Sequence, residues 1–186
     1  MLNFKNLKPE LIEKASKIRL LLTDSDGVLT DTGVYYSERG EELKRFSIRD
    51  GMGVERLRVL SGVETGIITG EVSGSVRTRA EKLGITELYM GVKNKGEVFE
   101  FIAAKKDLNF DSIAYIGDDT NDIEVLKMAG LSACPADAVI QIKQITDFIT
   151  DSRGGNGAFR DFAELIIYSR TGKLEIPDSI LENTIK

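Results

Sequence analysis

The chain of 186 residues contains no histidine, no tryptophan, a single cysteine and three prolines. Without histidine there is no Ser-His-Asp or Cys-His catalysis, no imidazole general base and no histidine-ligated metal. The lone Cys134 has no partner for an intrachain disulfide, and a cysteine-rich zinc centre is excluded. Positive charge is in short supply: 25 Lys and Arg face 30 Asp and Glu, a net charge of −5. A broad face for the phosphates of DNA or RNA is therefore not expected. Long apolar runs are missing too. The opening residues, MLNFKNLKPELIEKASKIR, are too charged for a secretion signal, and the run from Ile18 to Leu22 is broken by Arg19 and far too short to cross a bilayer. A cytoplasmic protein with no membrane and no nucleic-acid partner is the expectation. What remains for catalysis is carboxylates, lysine, hydroxyls, backbone groups and a hard metal ion.

What the chain does have is alternation, with 41% hydrophobic residues to build a core. Leu20-Leu21-Leu22, Gly66-Ile67-Ile68, Leu88-Tyr89-Met90, Ile113-Ala114-Tyr115-Ile116 and Leu131-Ser132-Ala133-Cys134 are short runs suited to strands covered on both faces. Between them the apolar spacing is helical over Met52 to Leu60, Ser73 to Leu83, Lys95 to Leu108 and Asn121 to Ala129, with a last helical stretch from Ala158 to Tyr168. Strand–helix alternation predicts an α/β fold with a doubly wound, Rossmann-like parallel sheet, whose sites form beyond the carboxyl ends of the strands. From Gly33 to Phe46 the rhythm changes. Val34-Tyr35-Tyr36 and Leu43-Lys44-Arg45-Phe46 flank a polar tip, which predicts a projecting β-hairpin over residues 33–47. No linker divides the chain, so residues 1–186 are expected to form a single domain. Its core spans about 17–168, and a Gly-rich segment with the C-terminal tail fills 153–186.

Chemistry is concentrated in two acidic clusters. Thr23-Asp24-Ser25-Asp26-Gly27 follows the first strand, and period-2 geometry points Asp24 and Asp26 to one side. Two carboxylates so placed repel unless a cation lies between them or one is protonated. An all-oxygen ligand set favours Mg²⁺ over zinc. One carboxylate could attack phosphorus while the other shuttles a proton. Taken alone, Asp-x-Asp-Gly is more often a plain turn. Gly117-Asp118-Asp119-Thr120-Asn121-Asp122 follows another strand on the same predicted edge. Asp122 also reads as a helix N-cap, but three carboxylates exceed what a cap needs. Thr69 and Gly70 end a third strand and could hold phosphate oxygens, or Thr69 could cap the next helix. Lys95 opens a helix, where a cation is locally unfavourable unless an anion faces it. A solvated lysine is the plain alternative.

These four pieces, in this order after successive strands, resemble the haloacid dehalogenase superfamily of phosphotransferases, over about Arg19 to Asp161. The resemblance implies that Asp24 is a nucleophile forming an aspartyl-phosphate. It implies Asp26 as general acid/base with its backbone carbonyl on Mg²⁺, and Asp118 as a metal ligand beside Asp24. Asp119 and Asp122 would support that ligand or hold its waters. Thr69 and Lys95 would bind the transferring phosphoryl group. Within the superfamily the chain is similar to the small capless phosphatases of 3-deoxy-2-keto sugar acids, on the hairpin, on Leu43-Lys44-Arg45-Phe46-Ser47-Ile48-Arg49-Asp50-Gly51-Met52-Gly53, on Ala80-Glu81-Lys82-Leu83-Gly84 and on Arg153-Gly154-Gly155-Asn156-Gly157-Ala158-Phe159-Arg160. That likeness implies a sugar-acid phosphate substrate from lipopolysaccharide or sialic acid biosynthesis. It also implies a homotetramer with hairpins packed together and a tail reaching a neighbouring site. Substrate-binding positions would be Thr30, Arg49, Gly70, Glu71, Arg79, Lys82 and Arg153, although Arg49 could equally pair with Asp50 on the surface. Glu71 stands where the octulosonate branch usually has Arg. With Arg79 and Lys82 it leans toward a nonulosonate 9-phosphate, with the eight-carbon 3-deoxy-D-manno-octulosonate 8-phosphate as the alternative. Two other classes compete: a phospho-receiver module, for which the accepting Asp is missing after the predicted third strand, and a non-catalytic oligomerising subunit, against which every catalytic position is present.

Overall fold

The computed structural model describes residues 7–173. In chain order its elements are α1 (Pro9–Ser16), β1 (Leu20–Thr23), β2 (Thr30–Ser37), β3 (Gly40–Phe46), α2 (Ile48–Ser61), β4 (Glu64–Ile68), α3 (Gly74–Leu83), β5 (Glu87–Tyr89), α4 (Lys95–Lys106), β6 (Ile113–Ile116), α5 (Ile123–Met128), β7 (Leu131–Cys134), α6 (Ile140–Lys143), β8 (Phe148–Ile149) and α7 (Ala158–Thr171). The apolar runs become a six-stranded parallel sheet in the order β5-β4-β1-β6-β7-β8. β1, buried along its whole length, is central because no polar side chain but Thr23 interrupts Leu20-Leu21-Leu22.

The pleat divides the core in two. Leu21, Ile67, Ala114 and Ile116 face one layer with α1, α2, α3 and α7. Leu20, Leu22, Ile113 and Tyr115 face the other with α4, α5 and α6. The α2–α7 contact is the most extensive between helices, and it is polar as well as apolar. The Asp50 carboxylate of α2 accepts hydrogen bonds from the backbone N–H groups of Gly157 (3.1 Å) and Arg160 (3.0 Å), capping a helix whose own cap residue, Gly157, has no side chain to offer. Asp50 is thus taken up by α7, and the surface pairing with Arg49 does not form; Arg49 itself is exposed.

The hairpin pairs β2 with β3 antiparallel, Thr30 opposite Phe46, and so begins three residues before Gly33. Three elements were not foreseen: the amphipathic α1, the four-residue α6 and the two-residue β8. Asn121–Ala129 is also no single helix. Thr120–Asp122 forms a 3₁₀ turn, capped by Asp119, before α5 starts. Of the Gly-rich tail expected to reach a neighbouring site, residues 153–173 are described, with the Gly155 N–H donating to the Val28 carbonyl of the same chain at 2.8 Å, and 174–186 lie outside the described residues. Among those described, no helix is long and apolar enough to cross a membrane.

Candidate active site

The sheet order sets β4, β1 and β6 side by side, and the register aligns their ends: Thr23 lies opposite both Ile67 and Ile116. Asp24, Thr69 and Asp118 each follow within two residues and meet at one edge. The Asp24 N–H continues the ladder to the Ile116 carbonyl at 3.0 Å, and the Thr69 N–H does the same to the Tyr89 carbonyl at 2.9 Å. Nucleophile candidate and phosphate-loop candidate are therefore fixed by sheet hydrogen bonds.

After Asp24 the chain turns sharply. The Ser25 carbonyl accepts from the N–H groups of Val28, Leu29 and Thr30. Gly27 sits at φ +88°, and a Cβ built there would lie 1.9 Å from Asp118 Oδ2. Glycine is thus required twice over, for the turn and for room for a carboxylate delivered by another strand.

Around this point the two acidic clusters merge. Oxygens of Asp24, Asp118 and Asp122 lie within 4.8 Å of one another. Asp122 is fully buried. Its Oδ1 accepts from Lys95 Nζ (2.7 Å) and from the Tyr115 hydroxyl (2.7 Å), and its Oδ2 accepts from the Asp118 N–H (3.1 Å). It does not cap α5 with its side chain. Lys95 is buried as well, 3.0 Å from Asp24 Oδ1. The Lys95 ammonium and the Asp24 carboxylate thus form a buried ion pair. Asn94 caps α4 through the Glu97 N–H and so sets where Lys95 begins the helix.

The electrostatics call for a cation. Burial first, then the Asp122 charge, raises Asp24 to about 7 against the opposing charge of Lys95. Burial and the neighbouring Asp24 and Asp122 raise Asp118 to about 8. Three carboxylates, Asp24 and Asp122 buried and Asp118 partly so, against one ammonium fit a divalent cation bound by oxygen ligands.

The remaining candidates separate into two groups. A cavity of about 420 Å³ is lined by Asp24, Asp26, Thr69, Gly70, Glu71, Asp118 and Asp119, with Thr32, Thr120 and Asn121. Thr69 is buried and accepts from the Glu71 N–H; α3 is capped by Ser73, so the capping alternative for Thr69 does not hold. The other substrate-binding expectations fall elsewhere. Arg79 donates to the Ser47 carbonyl (2.9 Å) and lies over the Phe46 ring, and with Lys82 it lines a separate groove between the hairpin and α3. Arg153 pairs with Asp137 at 3.1 Å, on the surface. The Thr30 hydroxyl is buried and braces the turn through Gly27 N–H and Asp26 Oδ1. For these residues the sequence shows a polar group but not the partner that engages it.

The Asp26 carboxylate is not in the three-carboxylate cluster; it turns to Lys44 (2.7 Å) and Thr30 (3.2 Å). Asp122, expected only in support of Asp118, joins Asp24 and Asp118 in that cluster. Besides Thr32, Thr120 and Asn121 in the cavity wall, Tyr115 and Lys44 were unforeseen in this surrounding. Tyr115 reads as a core residue of an apolar strand. Lys44 carries a signal, an inward-facing charge in an alternating strand, but its partner lies 18 residues away.

Three comparisons bear on what this arrangement belongs to. The sequence profile of the haloacid dehalogenase-like hydrolases matches residues 67–160. The 3-deoxy-D-manno-octulosonate 8-phosphate phosphatase of Escherichia coli (strain K12) is 41% identical over 166 residues, 89% of this chain and 87% of that protein. The crystal structure of the same-named phosphatase from Yersinia pestis superposes with a TM-score of 0.85 at 37% identity, covering 88% of each chain. That of the Moraxella catarrhalis enzyme, in complex with magnesium ion, phosphate ion and a KDO molecule, superposes with a TM-score of 0.86 at 32% identity, covering 96% of this chain and 99% of that one. With likeness of this extent in both sequence and structure, the chain belongs to the haloacid dehalogenase-like hydrolase family.

Proposed function

We propose that the protein is a Mg²⁺-dependent phosphatase of 3-deoxy-D-manno-octulosonate 8-phosphate. The observation that carries the phosphatase reading is the convergence of Asp24, Asp118, Asp122 and Lys95 at one sheet edge, beside a cavity whose other wall is Thr69 and Gly70.

Each residue has a task there. Asp24 attacks phosphorus; its bond to phosphorus forms as the ester P–O bond breaks. Asp26 gives its proton to the departing sugar oxygen, then takes one from the water that attacks phosphorus and frees Asp24. Thr69 and the Gly70 amide hold phosphoryl oxygens, and Lys95 favours the ionised form of Asp24 and aims it. Asp122 holds Lys95 in turn, and Asp118 with Asp24 supplies the oxygens for the metal. Bound Mg²⁺ neutralises charge on the phosphoryl oxygens and carboxylates. Asp119, exposed at the rim, caps the 3₁₀ turn that carries Asp122 into place.

The eight-carbon substrate is supported by whole-chain similarity to phosphatases of that name. The nine-carbon reading retains one observation, Glu71 in the cavity wall. Arg79 and Lys82, which the same reading invoked, line the other groove. Comparing kcat/KM on octulosonate 8-phosphate and a nonulosonate 9-phosphate tests the assignment. A clear eight-carbon preference is expected, and a nine-carbon preference overturns it. Assembly as a homotetramer through the hairpins fits the exposure of Tyr35, Tyr36 and Leu43.

A further inference from the structure

Among the described residues two lysines are buried, Lys95 and Lys44. Lys95 belongs to the nucleophile. Lys44 lies on β3, between the exposed Leu43 and Arg45, at the inward-facing position where a half-buried strand ordinarily places an apolar side chain. Its side chain is 1% exposed. A buried ammonium is costly unless it is paired and hydrogen-bonded. Lys44 is paired twice, with Asp26 Oδ2 at 2.7 Å and with Glu41 Oε2 at 3.2 Å. Burial works against its charge, yet these two carboxylates outweigh it and hold the ammonium above its usual pKa.

The pairing fixes the Asp26 carboxylate from behind. Lys44 engages Oδ2, and the Thr30 hydroxyl engages Oδ1 at 3.2 Å. A hydroxyl can turn from donor to acceptor, whereas an ammonium can only donate. Oδ1 is therefore the oxygen that can carry a proton, with Thr30 able to accept from it, and Oδ2 is not. The contact also has a far end. Glu41 accepts a hydrogen bond from the Ser73 hydroxyl, and Ser73 caps α3. A polar chain thus runs from Asp26 through the hairpin to the helix that follows the Thr69–Gly70 turn.

We propose that Lys44 is a positioning residue for the reaction, holding Asp26 Oδ2 so that Oδ1 is presented to the leaving oxygen of the substrate. The proposal rests on the phosphatase reading. In the first half of the reaction the proton on Asp26 Oδ1 passes to the sugar alkoxide as its bond to phosphorus breaks, and Asp26 is left as the carboxylate paired with Lys44. Directional proton transfer suffers when its donor swings freely, and the loss is greatest where the leaving group most needs the proton.

That last point separates positioning from support of the hairpin. An alkyl phosphate leaves as a strongly basic alkoxide, and 4-nitrophenyl phosphate leaves as a weakly basic phenolate. kcat/KM reports the steps through the first P–O cleavage, so it reads this half of the reaction alone. For Lys44→Met, kcat/KM on the sugar-acid phosphate is expected to fall by roughly 10²-fold, while that on 4-nitrophenyl phosphate stays within about threefold. Lys44→Arg is expected to recover part of the loss. An equal fall on both esters, or no change on either, overturns the proposal. If Lys44→Met does not fold by circular dichroism, Lys44→Arg carries the same comparison, because its guanidinium presents its donors from a different place. A bias between the two esters then supports the proposal, and a uniform change or none overturns it. Wild-type protein that hydrolyses neither ester with Mg²⁺ overturns the phosphatase reading itself, and this inference with it.

Discussion

Between α2 and α7, Glu164 accepts from Arg56 at 2.6 and 3.2 Å and from Arg160 at 2.6 Å, while Asp50 accepts from two backbone N–H groups of α7. The two guanidinium groups share one carboxylate and the other carboxylate is held by backbone donors, so each charge there has a hydrogen-bonded partner. At the sheet edge, three carboxylates meet one cationic side chain, Lys95. Fully ionised, that cluster carries two uncompensated negative charges, the charge that a divalent cation cancels. The first region is a structural fastening complete in itself, and the second is complete only with metal. Buried charge alone therefore does not mark a catalytic site; the imbalance does.

This contrast can be broken most sharply at Asp24. Asp24→Asn is expected to lower kcat by roughly 10⁴-fold or more, because it removes the proposed nucleophile. Thermal stability should hold or rise, since a crowded buried charge goes with it. A large drop in melting temperature would instead place Asp24 with the structural carboxylates. Glu164→Gln should behave oppositely. Loss of the charge between two arginines is expected to cost about 3 kcal/mol of stability in a denaturant titration, with kcat unchanged within about twofold well below the melt. The gentlest probe is pH. In the folded protein Asp24 and Asp118 are raised to about 7 and about 8 from an ordinary 3.8, so they hold protons that the unfolded chain has released. Without metal, the stability tied to those protons is full below about pH 4 and is lost as pH rises through about 8. Excess Mg²⁺ should flatten that slope and raise the melting temperature most at the alkaline end, by the equivalent of about 2.7 kcal/mol at a hundredfold excess over Kd. A melting curve indifferent to Mg²⁺ at every pH would erase the distinction between the two regions.

Much of this architecture is written in local pattern. The five apolar runs announce β1, β4, β5, β6 and β7 because a strand buried on both faces tolerates little polarity. Asp24 and Asp118 announce themselves because acidic turns after such strands must share one edge. α6 and β8 escape because two to four residues carry no periodicity to read. The positions of Arg79, Lys82 and Arg153 escape for a different reason: a long cation reaches several neighbours, and which one it takes depends on contacts such as Ser47 and Asp137 that no spacing reveals. Lys44 was in view within Leu43-Lys44-Arg45-Phe46, yet its pairing with Asp26 depends on how the hairpin folds back over the turn.

The near-collision at Gly27 has a consequence for how such a chain can change. The turn after β1 and the acidic stretch after β6 occupy one volume, so neither can be redrawn without the other. A bulkier residue at position 27 would demand a shorter one at 118, and a shorter one at 118 gives up the carboxylate proposed to hold the metal. Two passages far apart in the gene are thereby bound to a common fate, and variants of this chain should keep or lose them together.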